Sequence, residues 1–344
     1  MTMSRYPHGV SVYGIPVYGS GPSSVLGPGC GKIVWMVATK AESNLYYKQL
    51  HDNGVSDNDM YTTLTTALAA TTASRNDVIL ATPGTYTETA EVAWSKANTH
   101  LVGLGGPNAR GDYGEPNVVI YTTTAAVGAT VNITGQNCQF YNVTIQNAGN
   151  DAGNLCAVLL NKYGCYFENV SIQGNLASTQ RSTAACSSLY ISTNGHYPMF
   201  VNCNFGNTCW GAISGTNQAS CVRFVGSQPN DGHFKNCRFL SDSSTASVVA
   251  VSAPLNCSAG RNWLWEDCFF YNYNSTPGTN LNQVFYIAGP APTHGFAYKA
   301  TLRGCTANGW DEWTDADNDR LFADMPITGL GGGLVREPTA AAGS

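Results

Sequence analysis

The chain has 344 residues, of which 11% are charged and 43% are hydrophobic. Charged residues make up roughly 25% of an ordinary soluble domain, so this surface must consist largely of Asn, Thr, Ser and backbone. The net charge is −5 with no basic stripe, which argues against a nucleic-acid surface, and no apolar run reaches the roughly 18 residues of a membrane span.

Residues 1–31 are predicted to form a separate N-terminal arm. Gly and Pro recur too often there for a helix, yet between residues 6 and 18 seven side chains are aliphatic or aromatic: Tyr6, Val10, Val12, Tyr13, Ile15, Val17 and Tyr18. Two interpretations are open, a disordered leader or an extended arm that buries these side chains on a partner subunit. The first residues lack the charged-then-apolar pattern of a secretory signal, so we expect synthesis in a cytoplasm without secretion by that route.

The next segment is predicted to begin a β-rich body. Lys32–Val37 reads as a first strand, and Asp59 as the cap of a helix from Met60 to about Ser74. Such a helix would close one open end of a stacked sheet. Further strands are predicted at Asp77–Tyr86, His100–Leu104 and Val118–Tyr121, with a loop from Gly105 to Asn117.

A short phrase then recurs at intervals of roughly 27 to 38 residues, within the range of solenoid repeats. In each copy a Cys and a Phe are two residues apart, so both side chains point to one face of a strand. We predict that every turn of a solenoid supplies one such strand and that the pairs stack in its interior. The pairs are Cys138 and Phe140, Cys165 and Phe167, Cys203 and Phe205, Cys237 and Phe239, Cys268 and Phe270, followed by a worn copy at Cys305 and Ala307.

The chain contains 12 cysteines, and no two of them form a Cys-x-x-Cys pair. Buried thiols of the core are the favoured interpretation, because free Cys packs as a small hydrophobe. Disulfides and a metal site are the alternatives. We expect neither a cofactor nor a metal.

After Trp310 the repeat stops, which places the predicted solenoid at residues 32–310 and a C-terminal acidic segment and tail at 311–344. Asp315, Asp317 and Asp319 imitate the start of an EF-hand loop. The sixth position is Arg320 and the twelfth is Pro326, so the calcium motif fails.

The stretches Asp77–Tyr86, Leu101–Gly106 and Val118–Ile120 resemble the opening of pectin-lyase-like proteins, and Asn142–Gly149 resembles the pectin methylesterase branch. The resemblance covers roughly residues 76–308 and implies an all-β fold. That fold is a right-handed, single-stranded parallel β-helix, here with an extended N-terminal arm and a short capping helix. The arm Arg5–Val10 also resembles the start of small β-helical proteins that decorate or cement the heads of tailed phages.

The resemblance does not extend to catalysis. Pectin methylesterases use two Asp on adjacent turns as nucleophile and general acid, with Gln and Arg nearby. The stretch that matches the first motif, Leu155–Leu160, has no Gln, and the strand Phe200–Cys203 runs on to Ile213 without a carboxylate. Lyase or glycosidase chemistry needs a carboxylate cluster, whereas the acids between residues 130 and 300 are few and scattered. We therefore predict a protein that is not an enzyme.

Trp263 and Trp265 lie two residues apart on a predicted strand. They fit either a sugar-stacking platform on the outer face or packing in the interior. The six His form no ligand pair at short spacing.

The resemblance and the composition together lead to one functional expectation, a virion structural protein that decorates the outside of a phage capsid. The implied partners are the major capsid protein and two further copies in a homotrimer, with no nucleic acid and no membrane. The alternatives are a phage tailspike-like or secreted polysaccharide-degrading β-helix, and a non-catalytic glycan-binding adhesin.

Overall fold

The computed structural model describes most of the body and parts of both ends of the chain. The described residues are 4–6, 9–12, 15–16, 31–105, 117–183, 185–206, 219–227, 229–243, 245, 247–254, 258–273, 281–287, 295–296, 300–314 and 321–323.

The N-terminal arm contributes a small sheet of its own. Three strands pair in antiparallel order: β1 (Ser4–Tyr6), β2 (Gly9–Val12) and β3 (Ile15–Pro16). Neighbouring strands of this small sheet therefore run in opposite directions. Tyr13, Val17 and Tyr18 of the predicted contact set lie outside the described residues.

The first part of the body combines strands with two helices. In chain order these elements are β4 (Ile33–Met36), α1 (Leu45–Asp52), a 3-10 turn (Asp57–Asp59), β5 (Met60–Tyr61), α2 (Leu64–Ala69), β6 (Val78–Ala81), β7 (Gly84–Thr87) and β8 (Val92–Trp94).

Twenty-five further strands and one short helix follow. They are β9 (His100–Gly103), β10 (Val118–Thr122), β11 (Ala129–Ile133), β12 (Gln139–Tyr141), β13 (Thr144–Asn147), β14 (Cys156–Leu160), β15 (Tyr166–Glu168), β16 (Ser171–Gln173), α3 (Ser178–Arg181), β17 (Ser187–Ser192), β18 (Met199–Val201), β19 (Asn204–Gly206), β20 (Ser220–Val225), β21 (His233–Lys235), β22 (Arg238–Ser241), β23 (Val249–Ala253), β24 (Ser258–Ala259), β25 (Trp263–Glu266), β26 (Phe269–Asn272), β27 (Leu281–Gln283), β28 (Phe285–Ile287), β29 (Gly295–Phe296), β30 (Ala300–Arg303), β31 (Thr306–Asn308), β32 (Trp310–Glu312) and β33 (Leu321–Ala323).

These strands stack into three long parallel sheets. Sheet I has the order β33-β30-β25-β21-β18-β15-β12-β9-β6-β4-β5, sheet II the order β31-β26-β22-β19-β16-β13-β10-β7, and sheet III the order β28-β23-β20-β17-β14-β11-β8. Each successive trio from β6–β8 to β21–β23 gives one strand to each sheet. The chain is therefore a parallel β-helix, and the predicted fold class is confirmed. Pairing of β33 with β30 carries sheet I to Ala323, beyond the predicted boundary at residue 310.

Residues with positive φ form the corners of the helix. Each strand of sheet I from β12 to β25 lies between two such residues that are five positions apart. The pairs are Asn137 and Asn142, Gly164 and Asn169, Tyr197 and Asn202, Asp231 and Asn236, and Asn262 and Asp267, with φ between 51° and 73°. Asn, Asp and Gly tolerate this left-handed conformation better than other residues. Adjacent corners also bond to each other, since Asn169 Nδ2 donates to Asn142 Oδ1 at 3.1 Å.

The prediction of one Cys and Phe column is wrong, because the phrase occupies two different corners. Cys138 and Cys165 precede strands of sheet I, whereas Cys203, Cys237 and Cys268 precede strands of sheet II. Both corners begin with a left-handed residue followed by an inward side chain, so the same residues suit both. All ten phrase residues are buried, and Cys305 continues the column in sheet II.

Aromatic rings fill the two columns. In sheet I Phe167, Phe200 and Phe234 stack at 4.7 Å between successive ring centroids, and Trp265 continues the stack at 5.4 Å from Phe234. In sheet II Phe239 stacks on Phe270 at 4.5 Å. Trp263 and Trp265 are 1% and 0% exposed, so they pack inside, and the sugar-platform interpretation of these two residues is wrong.

The predicted helix from Met60 to Ser74 is also wrong in its bounds. Met60 instead pairs with Trp35 in sheet I, and the helix α2 begins at Leu64. Thr63 is its cap, and both Glu88 oxygens accept hydrogen bonds from its first turn at 2.6 Å, from Leu64 N and Thr65 Oγ1. The inner side of α2 packs on the core beside β4, which is the place expected for a helix that closes this end.

Removal of an inward ring should destabilise the helix strongly. We expect Phe270→Ala, which empties a fully buried site, to lower the free energy of unfolding by about 3 to 5 kcal/mol, whereas Phe269→Ala on the outer side of the same strand should cost about 1 kcal/mol or less. Thermal and denaturant unfolding of the two variants measures the difference. Equal losses would contradict the inward and outward assignment.

Candidate functional site

The outer face of sheet I carries a covering helix, a pair of tyrosines and a cluster of charged side chains. Its first strands are covered by α1, whose Tyr47 and Leu50 pack on Trp35 and Leu80. Asn44 caps α1 by accepting hydrogen bonds from Tyr46 N and Tyr47 N. The helix therefore covers one end of the face, and the strands from β15 onward extend beyond it.

Two tyrosines and a carboxylate lie next to the covered end. Tyr141 and Tyr166 are neighbours on β12 and β15, with ring centroids 5.6 Å apart. Tyr166 Oη donates to Glu168 Oε2 at 2.9 Å. Burial raises the pKa of Tyr166, and the hydrogen bond and charge of Glu168 raise it further. The phenol therefore stays protonated and acts as a donor.

A charged cluster lies farther along the same face and consists of His233, Lys235, Glu266 and Arg303. Strand register places Lys235, Glu266 and Arg303 side by side on β21, β25 and β30. Glu266 Oε2 lies 3.2 Å from His233 Nε2 and 3.3 Å from Lys235 Nζ, while Glu266 Oε1 accepts from Arg303. One nearly buried carboxylate therefore bridges three consecutive turns.

The surroundings keep His233 neutral near neutral pH. Its pKa is lowered first by burial and also by the charges of Lys235 and Arg303, against an opposing effect of Cys268. The two permanent cations of the cluster are more exposed than the carboxylate, at 43% and 64% of their side chains against 10% for Glu266. Both carboxylate oxygens are engaged by these neighbours, so the arrangement is that of a structural cross-link.

Glu168 and Glu266, which lie on this face in the described part of the chain, are too far apart to act together on a glycosidic bond. Glu168 on β15 and Glu266 on β25 are separated by three strand spacings, or about 14 Å at about 4.8 Å each. Glycosidases place their two carboxylates roughly 5 to 9.5 Å apart. Asp231 and Asp267 form left-handed corners.

Lys235, Glu266 and Arg303 were visible in the sequence but were not singled out. Each lies two residues before a phrase cysteine, and that shared position is the signal that would have brought them together. The rings that we expected to be possible sugar contacts, Trp263 and Trp265, lie inside, while Tyr163 and Tyr197 are exposed at corners.

The nine described cysteines are free and buried: Cys138, Cys156, Cys165, Cys186, Cys203, Cys221, Cys237, Cys268 and Cys305. Cys30, Cys209 and Cys257 lie outside the described residues, as do Asp315, Asp317 and Asp319 of the acidic segment. Within the described ranges, no three or more His, Cys, Asp or Glu side chains are grouped so as to hold a metal ion. No helix among the described elements is long and apolar enough to cross a bilayer.

Comparison with solved structures finds similar chains among pectin methylesterases, a pectate lyase and a tailspike protein. A pectin methylesterase variant in complex with a hexasaccharide is 16% identical over 84% of this chain and 80% of its own, with a TM-score of 0.49. Pectate lyase Pel9A is 16% identical over 90% and 82%, with a TM-score of 0.47. The Dettilon tailspike protein is 14% identical over 85% of this chain and 59% of its own, with a TM-score of 0.43.

At such identities the likeness concerns the fold alone. No family model matches the chain, and no curated protein matches it.

Removal of the bridging carboxylate should weaken the turns that it joins. We expect Glu266→Gln to lower the free energy of unfolding by about 1 to 3 kcal/mol, between the values for exposed and buried pairs. The exposed pair of Lys48 and Asp52 on α1 serves as control, and Lys48→Gln should cost at most about 0.5 kcal/mol. Thermal unfolding of both variants makes the comparison. An unchanged free energy of unfolding in Glu266→Gln would show that the cluster does not stabilise the contact between turns.

His100 on the same face should make stability depend on pH. Burial lowers its pKa from 6.5 to about 4, and its Nε2 lies 2.6 Å from the acceptor Asn76 Oδ1, so the ring is neutral with the proton on Nε2. Between pH 6.5 and about 4 the unfolded chain binds a proton that the folded chain does not. As the pH is lowered through this window, the free energy of unfolding should therefore fall by up to about 3 kcal/mol.

Denaturant titrations at several pH values between 7 and 4 measure how the free energy of unfolding changes with pH. His100→Gln should remove the contribution of His100 to this pH dependence. His51→Gln, at an exposed position of α1, should leave the pH dependence unchanged. If His100→Gln shows the same pH dependence of the free energy of unfolding as the unsubstituted chain, that dependence comes from other groups.

Proposed function

We propose that this chain is a virion structural protein that decorates the outer surface of a tailed-phage head and stabilises it as a cement protein. The observation that carries the proposal is the bonding of Glu266, the nearly buried carboxylate of the outer face. Its oxygens pair with Lys235 and Arg303 on the two neighbouring strands, so the group joins turns and is not presented to a substrate.

The architecture supports the same role. A body of three long parallel sheets with stacked rings is stiff, so little conformational entropy is lost when it docks on another surface. The antiparallel sheet β1–β3 precedes this body as a separate element. In the proposal that element attaches to the major capsid protein, and the body lies over the junction of several capsid subunits as part of a homotrimer.

A polysaccharide-acting β-helix is the second candidate. It is favoured by the partly buried Tyr166 beside Glu168, because an aromatic ring and a carboxylate next to each other suit a sugar chain. In that case the outer face of sheet I would be the binding surface. A glycan-binding adhesin without catalysis would use the same face or the exposed corners at Tyr163 and Tyr197.

Binding to undecorated capsids tests the proposal. Full-length protein should pellet with the capsids and saturate. Val12→Asp in β2 should weaken binding at least about ten-fold, because a charge introduced into an apolar contact costs more than about 1.4 kcal/mol. Thr301→Asp introduces the same charge at an exposed position of the body and should bind as the unsubstituted chain does.

The outcomes separate the candidates. Absence of saturable binding by the unsubstituted chain would overturn the cement role. Release of reducing ends or unsaturated products from a panel of host-surface polysaccharides would favour the second candidate, and retention without cleavage would favour the adhesin.

A further inference from the structure

Four thiols form a column along sheet II. Cys203, Cys237, Cys268 and Cys305 each directly precede a strand of that sheet, and the residues after them are paired in register from β19 to β31. Each of the last three thiols donates to a carbonyl oxygen of the preceding turn: Cys237 to Phe200 at 3.4 Å, Cys268 to Phe234 at 3.4 Å and Cys305 to Trp265 at 3.3 Å. The four cysteines therefore occupy equivalent positions on consecutive turns.

The spacing of the column suits a disulfide between turns. Paired strands lie about 4.7 to 4.9 Å apart, and the Cα atoms of disulfides lie about 4.4 to 6.8 Å apart. The Cβ atoms must approach to about 3.5 to 4.5 Å, a movement of roughly 1 Å that needs no change of register.

The last pair of the column is the easiest to reach. In the described part of the chain β31 is the terminal strand of sheet II, so Cys305 has a paired neighbour on one side only. Terminal turns open locally at a lower free energy than central ones. Opening is required, because Cys268 and Cys305 are 1% and 0% exposed in the closed state.

The environment of Cys268 decides which sulfur reacts first. Burial raises the pKa of Cys268, the neighbouring thiols of Cys237 and Cys305 lower it, and the net shift is downward. The neighbouring Cys268 and burial raise the pKa of Cys305. In the closed state the Cys268 thiol donates to the carbonyl oxygens of Phe234 and Glu266, each at 3.4 Å.

We propose that Cys268 and Cys305 are the site of an oxidative modification, a disulfide that joins the last two turns of sheet II when a peroxide is the oxidant. The Cys268 thiolate attacks one peroxide oxygen, the O–O bond breaks, and hydroxide leaves and takes up a proton as water. The Cys305 sulfur then attacks the resulting sulfenic acid, the S–O bond breaks, and a second water leaves with the thiol proton. Overall two thiols and one hydrogen peroxide give one disulfide and two waters.

Peptide mapping tests the proposal. Reduced full-length protein is freed of reductant, treated with hydrogen peroxide below its unfolding temperature, alkylated and digested. Mass spectrometry should find a peptide pair that joins Cys268 to Cys305, with two of the 12 thiols lost. A cross-link between Cys203 and Cys237 should form about ten-fold more slowly, because that pair lies inside the sheet. The bond closes a loop of about 37 residues, so Tm should rise by a few degrees.

Substitutions provide the controls. Cys305→Ser should abolish the cross-link and leave Cys268 to be oxidised to sulfinic acid, whereas Cys156→Ser, in sheet III, should leave the cross-link intact. Should Cys305→Ser fail to fold, the peptide map of the unsubstituted chain decides alone. Full retention of all thiols until global unfolding, or a main cross-link between any other pair, would overturn the proposal.

Discussion

The fold depends on a backbone constraint at its corners, where one residue per corner must adopt a positive φ. Asn142, Asn169, Asn202 and Asn236 occupy the same corner on consecutive turns with φ close to 53°. Asn adopts this conformation at low cost, and its amide side chain bonds to the next turn, as Asn169 does to Asn142. Since the corners fix where each strand begins, they also fix which side chains point inward. The ring columns and the outer charged cluster both follow from that register.

Much of the fold was predictable from residue spacing. The Cys and Phe phrase identified inward positions correctly, because a period of two places both side chains on one face of a strand. The phrase gave a wrong prediction for the interval from Cys165 to Cys203, where it moves from the corner before sheet I to the corner before sheet II. That interval is one turn of 33 residues, from Gly164 to Tyr197, plus the five residues between the two corners of sheet I. Pattern alone does not separate two corners that require the same residues.

Other features depended on contacts that are distant in the sequence. The start of α2 is set by Glu88, 24 residues away from Leu64, so local helix signals placed it too early. Helix α1 has its apolar contacts on Trp35 and Leu80 of sheet I and was not predicted. Trp265 pairs with Phe234 of β21, which points inward, so Trp263 and Trp265 point inward as well. This inference requires the strand register to be known. The charged cluster could likewise be predicted only from the register of three consecutive turns, because each of these turns supplies at least one of its members.

The interior and the outer face divide the properties of the molecule between them. Inside, rings and thiols repeat from turn to turn and set stiffness, while outside, side chains vary and set what the surface binds. Glu266 lies at this boundary, since its backbone precedes an inward cysteine and its side chain joins cations on the outer face.

The repetition of the corners also bears on how such a chain changes length in evolution. Each turn contacts only the turns before and after it, and the turns from β12 to β25 present the same two corners. Duplication or deletion of one whole turn would therefore preserve both end faces and alter the distance between them by about 4.8 Å. The length of such a protein is therefore set by its number of turns and can change without any change in the residues of either end.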